Sequence, residues 1–217
     1  MAGHLDQLRI FEIFYSLQGE TRTVGLPTVF VRLTGCPLRC TYCDTEYAFT
    51  GGDWLGLDDI IEKVVGFKAK YVTVTGGEPL AQKHCNDLLV RLCDLGYEVS
   101  LETSGAISVA EVDPRVVKVM DLKTPASGEV EKNLYENIQF LGNKDQLKFV
   151  ICDEADYQWS CSMLEKYNLA ESCEILFSVS HQVLKERELA DWILRDKLPV
   201  RMQIQLHKYL WGDAPGR

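Results

Sequence analysis

Short runs of apolar and β-branched residues alternate along the chain with longer stretches in which apolar residues recur every three or four positions. The short runs are bounded by Gly, Pro or Asp, a pattern typical of β-strands. They fall at residues 9–14, 28–33, 71–75, 97–101, 116–120, 146–151, 174–177 and 200–205. The stretches with helical spacing fall at residues 57–67, 80–95, 153–167 and 181–197, with a less regular one at 131–140. This alternation predicts a parallel sheet joined by right-handed crossovers.

The length of the chain limits how such a sheet can close. A complete eight-unit barrel takes about 250 residues, or roughly 31 for each strand–helix unit. After an N-terminal extension, the 217 residues leave room for about six such units. We therefore expect one domain, residues 1–217, built as an incomplete (β/α)6 barrel of the partial TIM type. A doubly wound open sheet remains the alternative, because both architectures give the same order of strands and helices along the chain.

The charge balance and the absence of long apolar runs exclude two classes of partner. Lys and Arg number 23 against 32 Asp and Glu, which gives a formal net charge of −9. Because binding to nucleic acid depends on a surplus of cations along one face, this balance argues against a nucleic-acid partner. No apolar run approaches the roughly 20 residues of a membrane helix, and the first residues lack the features of a signal peptide. We expect a cytoplasmic protein that does not bind a membrane.

The eight cysteines divide into a cluster and a scattered set. Cys36, Cys40 and Cys43 fall within eight residues, directly after the strand predicted at 28–33. A disulfide framework is typical of shorter secreted domains, so we do not expect one here. The other five have no C-x-x-C spacing, and we interpret them as small packing residues; they are Cys85, Cys93, Cys152, Cys161 and Cys173.

Three thiolates in one short loop can hold a soft metal or a cluster. A structural zinc site takes four ligands, and an electron-transfer iron–sulfur cluster takes four cysteines; only three are local here. A third interpretation is a [4Fe–4S] cluster held by three thiolates, which leaves one iron open to a small chelating ligand. The loop follows the C-terminal end of a strand, where ligands bind in both candidate architectures.

A second motif, Gly76-Gly77-Glu78-Pro79, follows the next predicted strand, and glycines let a backbone approach a ligand closely. The spacing C-x3-C-x2-C followed by this GGEP run resembles the signature of the radical S-adenosylmethionine (SAM) enzymes. The resemblance implies a [4Fe–4S] cluster on Cys36, Cys40 and Cys43, with SAM bound at the open iron. It further implies SAM contacts at Tyr42, Asp44, Gly77, Glu78, Ser104, Asp121, Lys123 and Ser180.

Four features resemble one group of short radical SAM enzymes, which makes 7-carboxy-7-deazaguanine from 6-carboxytetrahydropterin with loss of ammonia, on the route to queuosine. They are the segment 14–20, Arg32, the pair Asp44-Thr45 and the tail at 205–212. A carboxamide can both donate to and accept from a pterin edge, and a guanidinium can clamp a carboxylate. The resemblance implies that Thr45 binds Mg2+, that the tail covers the substrate, and that the pterin contacts are Leu17, Gln18, Gly19, Arg32, Thr75, His207 and Arg217.

The resemblance also implies partners. These are a pterin substrate, an electron donor such as a flavodoxin or ferredoxin, and a second copy of the chain in a homodimer. Glu102 lies at the end of a predicted strand, on the side of the proposed site. Our hypothesis is that it shuttles a proton. Two alternatives stay open at this point: an activase of glycyl-radical enzymes, and a non-enzymatic iron–sulfur module for electron transfer.

Overall fold

One nine-stranded sheet forms the centre of the molecule. The computed structural model describes residues 6–212, Ala214 and Gly216. The strands are β1 (Gln7–Leu17), β2 (Pro27–Leu33), β3 (Asp53–Gly56), β4 (Tyr71–Gly76), β5 (Glu98–Thr103), β6 (Val117–Asp121), β7 (Gln146–Ile151), β8 (Glu174–Val179) and β9 (Arg201–Gln203).

The order of the strands identifies the architecture. Across the sheet it runs β3-β1-β2-β4-β5-β6-β7-β8-β9. From β2 onward every pair is parallel and the order follows the chain, whereas β1 and β3 run antiparallel at one edge. Because all parallel crossovers advance in one direction, right-handed connections cover one face, as in a barrel and unlike a doubly wound sheet. The expected partial barrel of the radical SAM type is confirmed, and it is open, since the described strands β3 and β9 form its two edges.

Five α-helices accompany the strands, each with bounds close to or inside a predicted segment except the last. They are α1 (Leu57–Gly66), α2 (Cys85–Asp94), α3 (Glu154–Tyr167), α4 (Glu186–Asp196) and α5 (Leu206–Trp211). Acidic residues occupy the first turn of α1, where they favour the positive end of the helix dipole. In α3 the Asp153 side chain accepts a hydrogen bond from Asp156 N and caps the first turn.

Two predicted helices begin later than expected. The segment 80–95 is helical only from Cys85, because Pro79–Ala81 forms a separate 3₁₀ turn that the Glu78 side chain caps. The segment 181–197 is helical only from Glu186, because Gln182 has φ = +62°. That left-handed conformation cannot continue a right-handed helix.

The α-helix predicted at 131–140 is wrong. The chain instead forms two 3₁₀ turns, Val130–Lys132 and Tyr135–Phe140. Asn133 and Asn137 are buried, and their side chains bond the backbone of Lys123 and of Val109, respectively. Asparagine side chains that serve distant backbone groups in this way compete with helical hydrogen bonding.

Local pattern also missed two short elements. Strand β3 has only four residues and pairs with the first part of β1. Helix α5 lies in the C-terminal tail, for which the sequence analysis made no prediction of secondary structure. Strand β1 is longer than the predicted 9–14.

The core lies between the sheet and its helices. Phe177 on β8 contacts Phe149 on β7 at 5.4 Å and Tyr157 on α3 at 6.0 Å between ring centroids, both edge-on. All eight cysteines are free, and Cys85 and Cys173 are buried in this core. No helix of the described residues is long and apolar enough to cross a bilayer.

Candidate active site

A large cavity of about 950 Å³ opens at the C-terminal ends of the parallel strands. This is the end at which parallel barrels bind their ligands. The cavity brings together all of the predicted site residues except Glu78 and Arg217. Arg217 lies outside the described residues. The predicted residues that line the cavity are Leu17, Gln18, Gly19, Arg32, Cys36, Cys40, Tyr42, Cys43, Asp44, Thr45, Thr75, Gly77, Glu102, Ser104, Asp121, Lys123, Ser180 and His207.

The cysteine loop is held in shape by hydrogen bonds to its neighbours rather than by a covalent link. Thr41 donates its backbone N–H to Ser127 O (3.0 Å) and its hydroxyl to Ala126 O (2.7 Å). The Arg39 guanidinium donates to Cys36 O at 2.8 Å and lies 4.2 Å from the centre of the Phe49 ring. The loop is therefore fixed at its middle and at its outer side.

The three thiols of this loop are half-buried and face the cavity. Burial raises the pKa of Cys36, Cys40 and Cys43, and the Lys123 ammonium opposes that rise at each of them. Among the described residues, no three His, Cys, Asp or Glu side chains are placed to hold one metal ion. Three free sulfurs that share a cavity without converging on a single ion fit a cluster, whose sulfur ligands bind different iron atoms, better than a zinc ion.

The glycine-rich loop packs directly on the cysteine loop. Glu78 N donates to Gly35 O at 2.8 Å, and Gly77 N donates to Leu33 O at 3.3 Å. A β-carbon on Gly77 would collide with Gly35 O and with the Cys36 side chain. Only glycine allows the two loops to approach this closely, so the GGEP motif shapes one wall of the cavity.

Glu78 is not among the residues that line the cavity. It is fully buried, and its carboxylate accepts hydrogen bonds from the Thr103 hydroxyl (2.9 Å), Ser104 N (2.7 Å), the Ser104 hydroxyl and Leu80 N (3.0 Å). Four donors satisfy a buried carboxylate. The structure thus gives this side chain the task of fixing the loop against the end of β5, and it does not place the carboxylate among the cavity residues.

Charged groups converge at the end of β6. Lys123 Nζ lies 2.6 Å from Asp121 Oδ2, and the backbone of Lys123 is held by the Asn133 side chain. Burial disfavours the charged forms of both Asp121 and Lys123. Nevertheless Lys123 and Lys148 keep the pKa of Asp121 below its usual range, and Asp121 raises the pKa of Lys123. The pair therefore stays ionised beside the predicted SAM residues Tyr42, Ser104 and Ser180.

A hydrogen-bonded group lies on the other side of the cavity floor. Gln18 Nε2 donates to Thr73 Oγ1 at 3.2 Å and to Glu102 Oε1 at 3.3 Å, while Thr75 Oγ1 donates to Glu102 Oε2 at 2.8 Å. Burial raises the pKa of Glu102, and the Lys148 ammonium partly offsets this. A carboxyl group whose pKa is raised by burial is suited to proton transfer near neutral pH.

Arg32 lines the cavity with its side chain only 15% exposed. Its Nε donates to Glu12 Oε1 at 2.8 Å, and the guanidinium lies 5.6 Å and 5.8 Å from the ring centres of Phe14 and Tyr47. In the described part of the chain no hydrogen bond uses its two Nη atoms. Held by one edge and flanked by two rings, the guanidinium keeps its other edge for an anion.

Thr45 follows the cysteine loop and donates its hydroxyl to Asp44 Oδ1 at 2.8 Å. That bond uses the hydroxyl proton and leaves oxygen lone pairs able to ligate a cation. Asp44 Oδ2 accepts from Gln205 Nε2 at 2.9 Å, so the same carboxylate contacts the C-terminal segment. Oxygen donors of this kind suit Mg2+.

The C-terminal segment covers the end of β1. Leu206 N donates to Gly19 O at 2.9 Å, and Gln203 Oε1 accepts from Thr21 N at 2.9 Å. The His207 ring lies against Gly19 and faces the cavity, and burial lowers its pKa. A neutral imidazole in this place can both donate and accept a hydrogen bond.

The sequence analysis missed four charged residues that line the cavity, and two of them, Lys148 and Glu20, form an ion pair; the others are Glu12 and Lys208. The side-chain charges of Lys148 and Glu20 lie 3.0 Å apart, and Lys148 also lies 3.3 Å from Asp121. A lysine inside the apolar strand 146–151 was a signal that could have identified the site, because unpaired charges are rarely buried in a strand.

The chain is similar to known proteins over most of its length. A family model described as the radical SAM superfamily matches residues 30–121. A curated 7-carboxy-7-deazaguanine synthase from Chlorobaculum tepidum is 46% identical over 213 residues, covering 96% of this chain and 97% of that protein. The synthase from Koribacter versatilis is 40% identical, covering 94% and 97%. The crystal structure of QueE from Escherichia coli matches with a TM-score of 0.75 at 21% identity, over 92% of this chain and 94% of that one, and supports the fold.

Proposed function

The chain belongs to the 7-carboxy-7-deazaguanine synthase family of radical SAM enzymes, and from this premise we propose how its residues divide the work. The enzyme is a lyase that converts 6-carboxy-5,6,7,8-tetrahydropterin to 7-carboxy-7-deazaguanine with loss of ammonia, in queuosine biosynthesis. The curated relatives carry the synthase name at 31–46% identity. This favours the lyase over the activase and over the electron-transfer module.

One observation carries the assignment of the site: three free thiols and the predicted ligand contacts share one cavity. Cys36, Cys40 and Cys43 would hold the [4Fe–4S] cluster, and the backbone at Gly77 would border the bound SAM. When bound, the cluster and SAM supply one-electron chemistry that removes a hydrogen atom from the substrate. Tyr42, Asp121 and Lys123 would surround SAM, together with Asp44, Ser104 and Ser180.

The pterin is held at the opposite side of the cavity. Arg32 would offer its Nη atoms to the substrate carboxylate, since Glu12 and two aromatic rings already fix its orientation. Gln18 and the backbone of Leu17 and Gly19 would bond the pterin edge, with Thr75 beneath it. His207 would close the site from above, and its depressed pKa favours the uncharged ring.

Thr45 would bind Mg2+ through its hydroxyl oxygen. The bond from this hydroxyl to Asp44 orients it, because the proton is directed toward the carboxylate and the lone pairs are directed elsewhere. A divalent cation there would be available to substrate oxygens and would order the pterin relative to the cysteine loop.

Glu102 would hold or move the proton that the rearrangement requires. Thr75 and Gln18 both donate to its carboxylate, which fixes the position of its two oxygens. Burial raises its pKa above that of a free glutamate, which makes the protonated form easier to reach.

Product analysis tests this function. Reconstituted protein is incubated anaerobically with SAM, a reductant, Mg2+ and 6-carboxytetrahydropterin, and 7-carboxy-7-deazaguanine is measured by mass spectrometry. The variant C36A/C40A/C43A should form no product and hold no cluster. The matched control C93A removes a half-buried thiol on α2 and should keep both. Full cluster content in the triple variant would overturn the assignment of the site.

We further propose a cytoplasmic homodimer that receives electrons from a flavodoxin or ferredoxin, as the family resemblance implies. One-electron chemistry needs such a donor. Light scattering coupled to size-exclusion chromatography tests the dimer, and product formation with purified flavodoxin or ferredoxin as the only reductant tests the donor.

A further inference from the structure

Lys148 is a mostly buried charged residue of the cavity to which the proposed reaction gives no task. It lies in the middle of β7, and its side chain is 13% exposed. Its ammonium lies 3.0 Å from Glu20 Oε2 and 3.3 Å from Asp121 Oδ1. These two carboxylates come from different parts of the chain, since Glu20 follows β1 and Asp121 ends β6.

The Asp121 contact leads to the SAM side of the cavity. Asp121 uses its other oxygen to pair with Lys123 at 2.6 Å, so one carboxylate is shared between two ammonium groups. A ligand that engages Lys123 or Asp121 changes how strongly Asp121 holds Lys148. Because the three side chains are at most 19% exposed, solvent screens such a change only weakly.

The Glu20 contact leads to the pterin side. Glu20 N donates to Gln18 Oε1 at 3.1 Å, and Gln18 Nε2 donates to Glu102 Oε1 at 3.3 Å. Gln18, Glu102 and the loop at Glu20 therefore form one connected group. Lys148 also interacts electrostatically with Glu102. Its charge therefore acts on the carboxylates of Glu20, Glu102 and Asp121.

We propose that Lys148 is a positioning residue that couples the two ligand sites, so that SAM bound on the Asp121 side tightens the binding of the pterin on the Glu20 side. This inference rests on the proposed function for the identity of the two ligands. The coupling is energetic: Lys148 holds Glu20 and Asp121 at fixed distances, and without it their like charges would repel and the two sides would move independently. Site-to-site couplings of this kind are typically about fivefold or more in affinity.

The test measures binding and not turnover. The dissociation constant of 6-carboxypterin, the aromatic analogue of the substrate, is measured by anaerobic equilibrium dialysis with reconstituted protein, in the presence and absence of saturating SAM. The ratio of the two constants is the coupling. We expect a ratio of about five or more for the unmodified protein, and a ratio within twofold of one for Lys148→Met.

Two further variants keep the test informative if Lys148→Met folds poorly. Glu20→Gln breaks the same connection while Lys148 keeps Asp121 as its partner, and it should also bring the ratio close to one. Lys118→Met removes a lysine from a more deeply buried ion pair with Asp145, at 3.0 Å and outside the cavity, and should leave the ratio unchanged.

The possible failures are distinguishable. An unchanged ratio in Lys148→Met and Glu20→Gln, or a ratio of one in the unmodified protein, would overturn the coupling and leave the synthase function intact. A protein that binds SAM but does not bind 6-carboxypterin under either condition would remove the proposed pterin site, and the coupling with it.

Discussion

The His207 ring occupies the space that a β-carbon on Gly19 would need, and the neighbouring Leu206 N donates to Gly19 O at 2.9 Å. The C-terminal segment can therefore rest on the end of β1 only because residue 19 has no side chain. The closure of the cavity therefore depends on the residue types at positions 19 and 207, which are far apart in the chain.

Gly19→Ala tests that contact. The added methyl group should displace His207 and weaken 6-carboxypterin binding by about tenfold, a loss of about 1.4 kcal/mol. SAM binding should change by less than twofold, because the tail lies on the pterin side. Gly66→Ala is the matched control, since a β-carbon there meets no atom within 4 Å. Unchanged pterin affinity in Gly19→Ala would show that the tail does not cover the substrate.

Arg32→Gln removes the guanidinium that we assign to the substrate carboxylate. A buried charged hydrogen bond contributes about 2 kcal/mol, so the dissociation constant of 6-carboxypterin should rise about 30-fold. SAM affinity, measured in parallel by dialysis, should stay constant. Arg187→Gln, at an arginine whose side chain is 91% exposed, serves as the control. An equal loss of pterin and SAM binding would contradict the role of Arg32.

Asp156→Asn is expected to loosen the cysteine loop from a distance. The fully buried Asp156 carboxylate accepts from Thr124 Oγ1, Ala126 N and Cys152 N, and the backbone carbonyl groups of Ala126 and Ser127 in turn anchor Thr41. An amide turns one acceptor into a donor and should lower the free energy of unfolding by about 2 kcal/mol.

The readouts for Asp156→Asn are urea unfolding, iron content and the EPR signal of the reduced cluster. We expect fewer iron atoms per chain and faster loss of the cluster in air. Asp191→Asn changes an exposed aspartate on α4 and should reproduce the unmodified protein. A variant that is less stable but holds its cluster normally would limit Asp156 to a role in folding.

Glu102→Gln should impair turnover and remove one source of the pH dependence of stability. Because the folded state raises the pKa of Glu102, the unfolded carboxyl group loses its proton first as pH rises. The stability that this group contributes is complete below about pH 4.3, the usual pKa of a glutamate, and is lost as pH rises through its folded pKa. Glutamine does not titrate, so the melting temperature of the variant relative to that of the unmodified protein should be higher at pH 8.0 than at pH 4.0.

Glu62→Gln is the control for this experiment, because Glu62 is exposed on α1. It should leave the melting temperature unchanged at both pH values. A relative melting temperature that is lower at pH 8.0 than at pH 4.0 would mean that Lys148 stabilises the carboxylate more strongly than burial disfavours it.

Short-range spacing explains what the sequence predicted well. The cysteine loop and the GGEP loop each consist of residues close together in the sequence, and each follows an apolar strand. The C-terminal ends of parallel strands lie at one edge of the sheet, so the two loops are expected to lie at the same edge. What the sequence could not show are pairings across the sheet. The Glu78 carboxylate accepts hydrogen bonds from Thr103 and Ser104, which lie at the end of another strand.

Contacts between residues far apart in the chain also explain why the sequence analysis missed Lys148 and wrongly predicted a helix at 131–140. Lys148 contacts Glu20, which is 128 positions earlier in the chain, and no local pattern links the two. Asn133 and Asn137 bond backbone groups of other loops, and those bonds override a helical pattern that by itself was reasonable.

The position of α5 in the chain has a consequence for biosynthesis. A ribosome makes the thiol loop and all nine strands before it makes the segment that rests on Gly19. The covering segment is thus the last described part of the cavity wall to be made, and its docking on Gly19 completes that wall. We expect iron and sulfide to reach the three thiols more readily before this segment docks than after it.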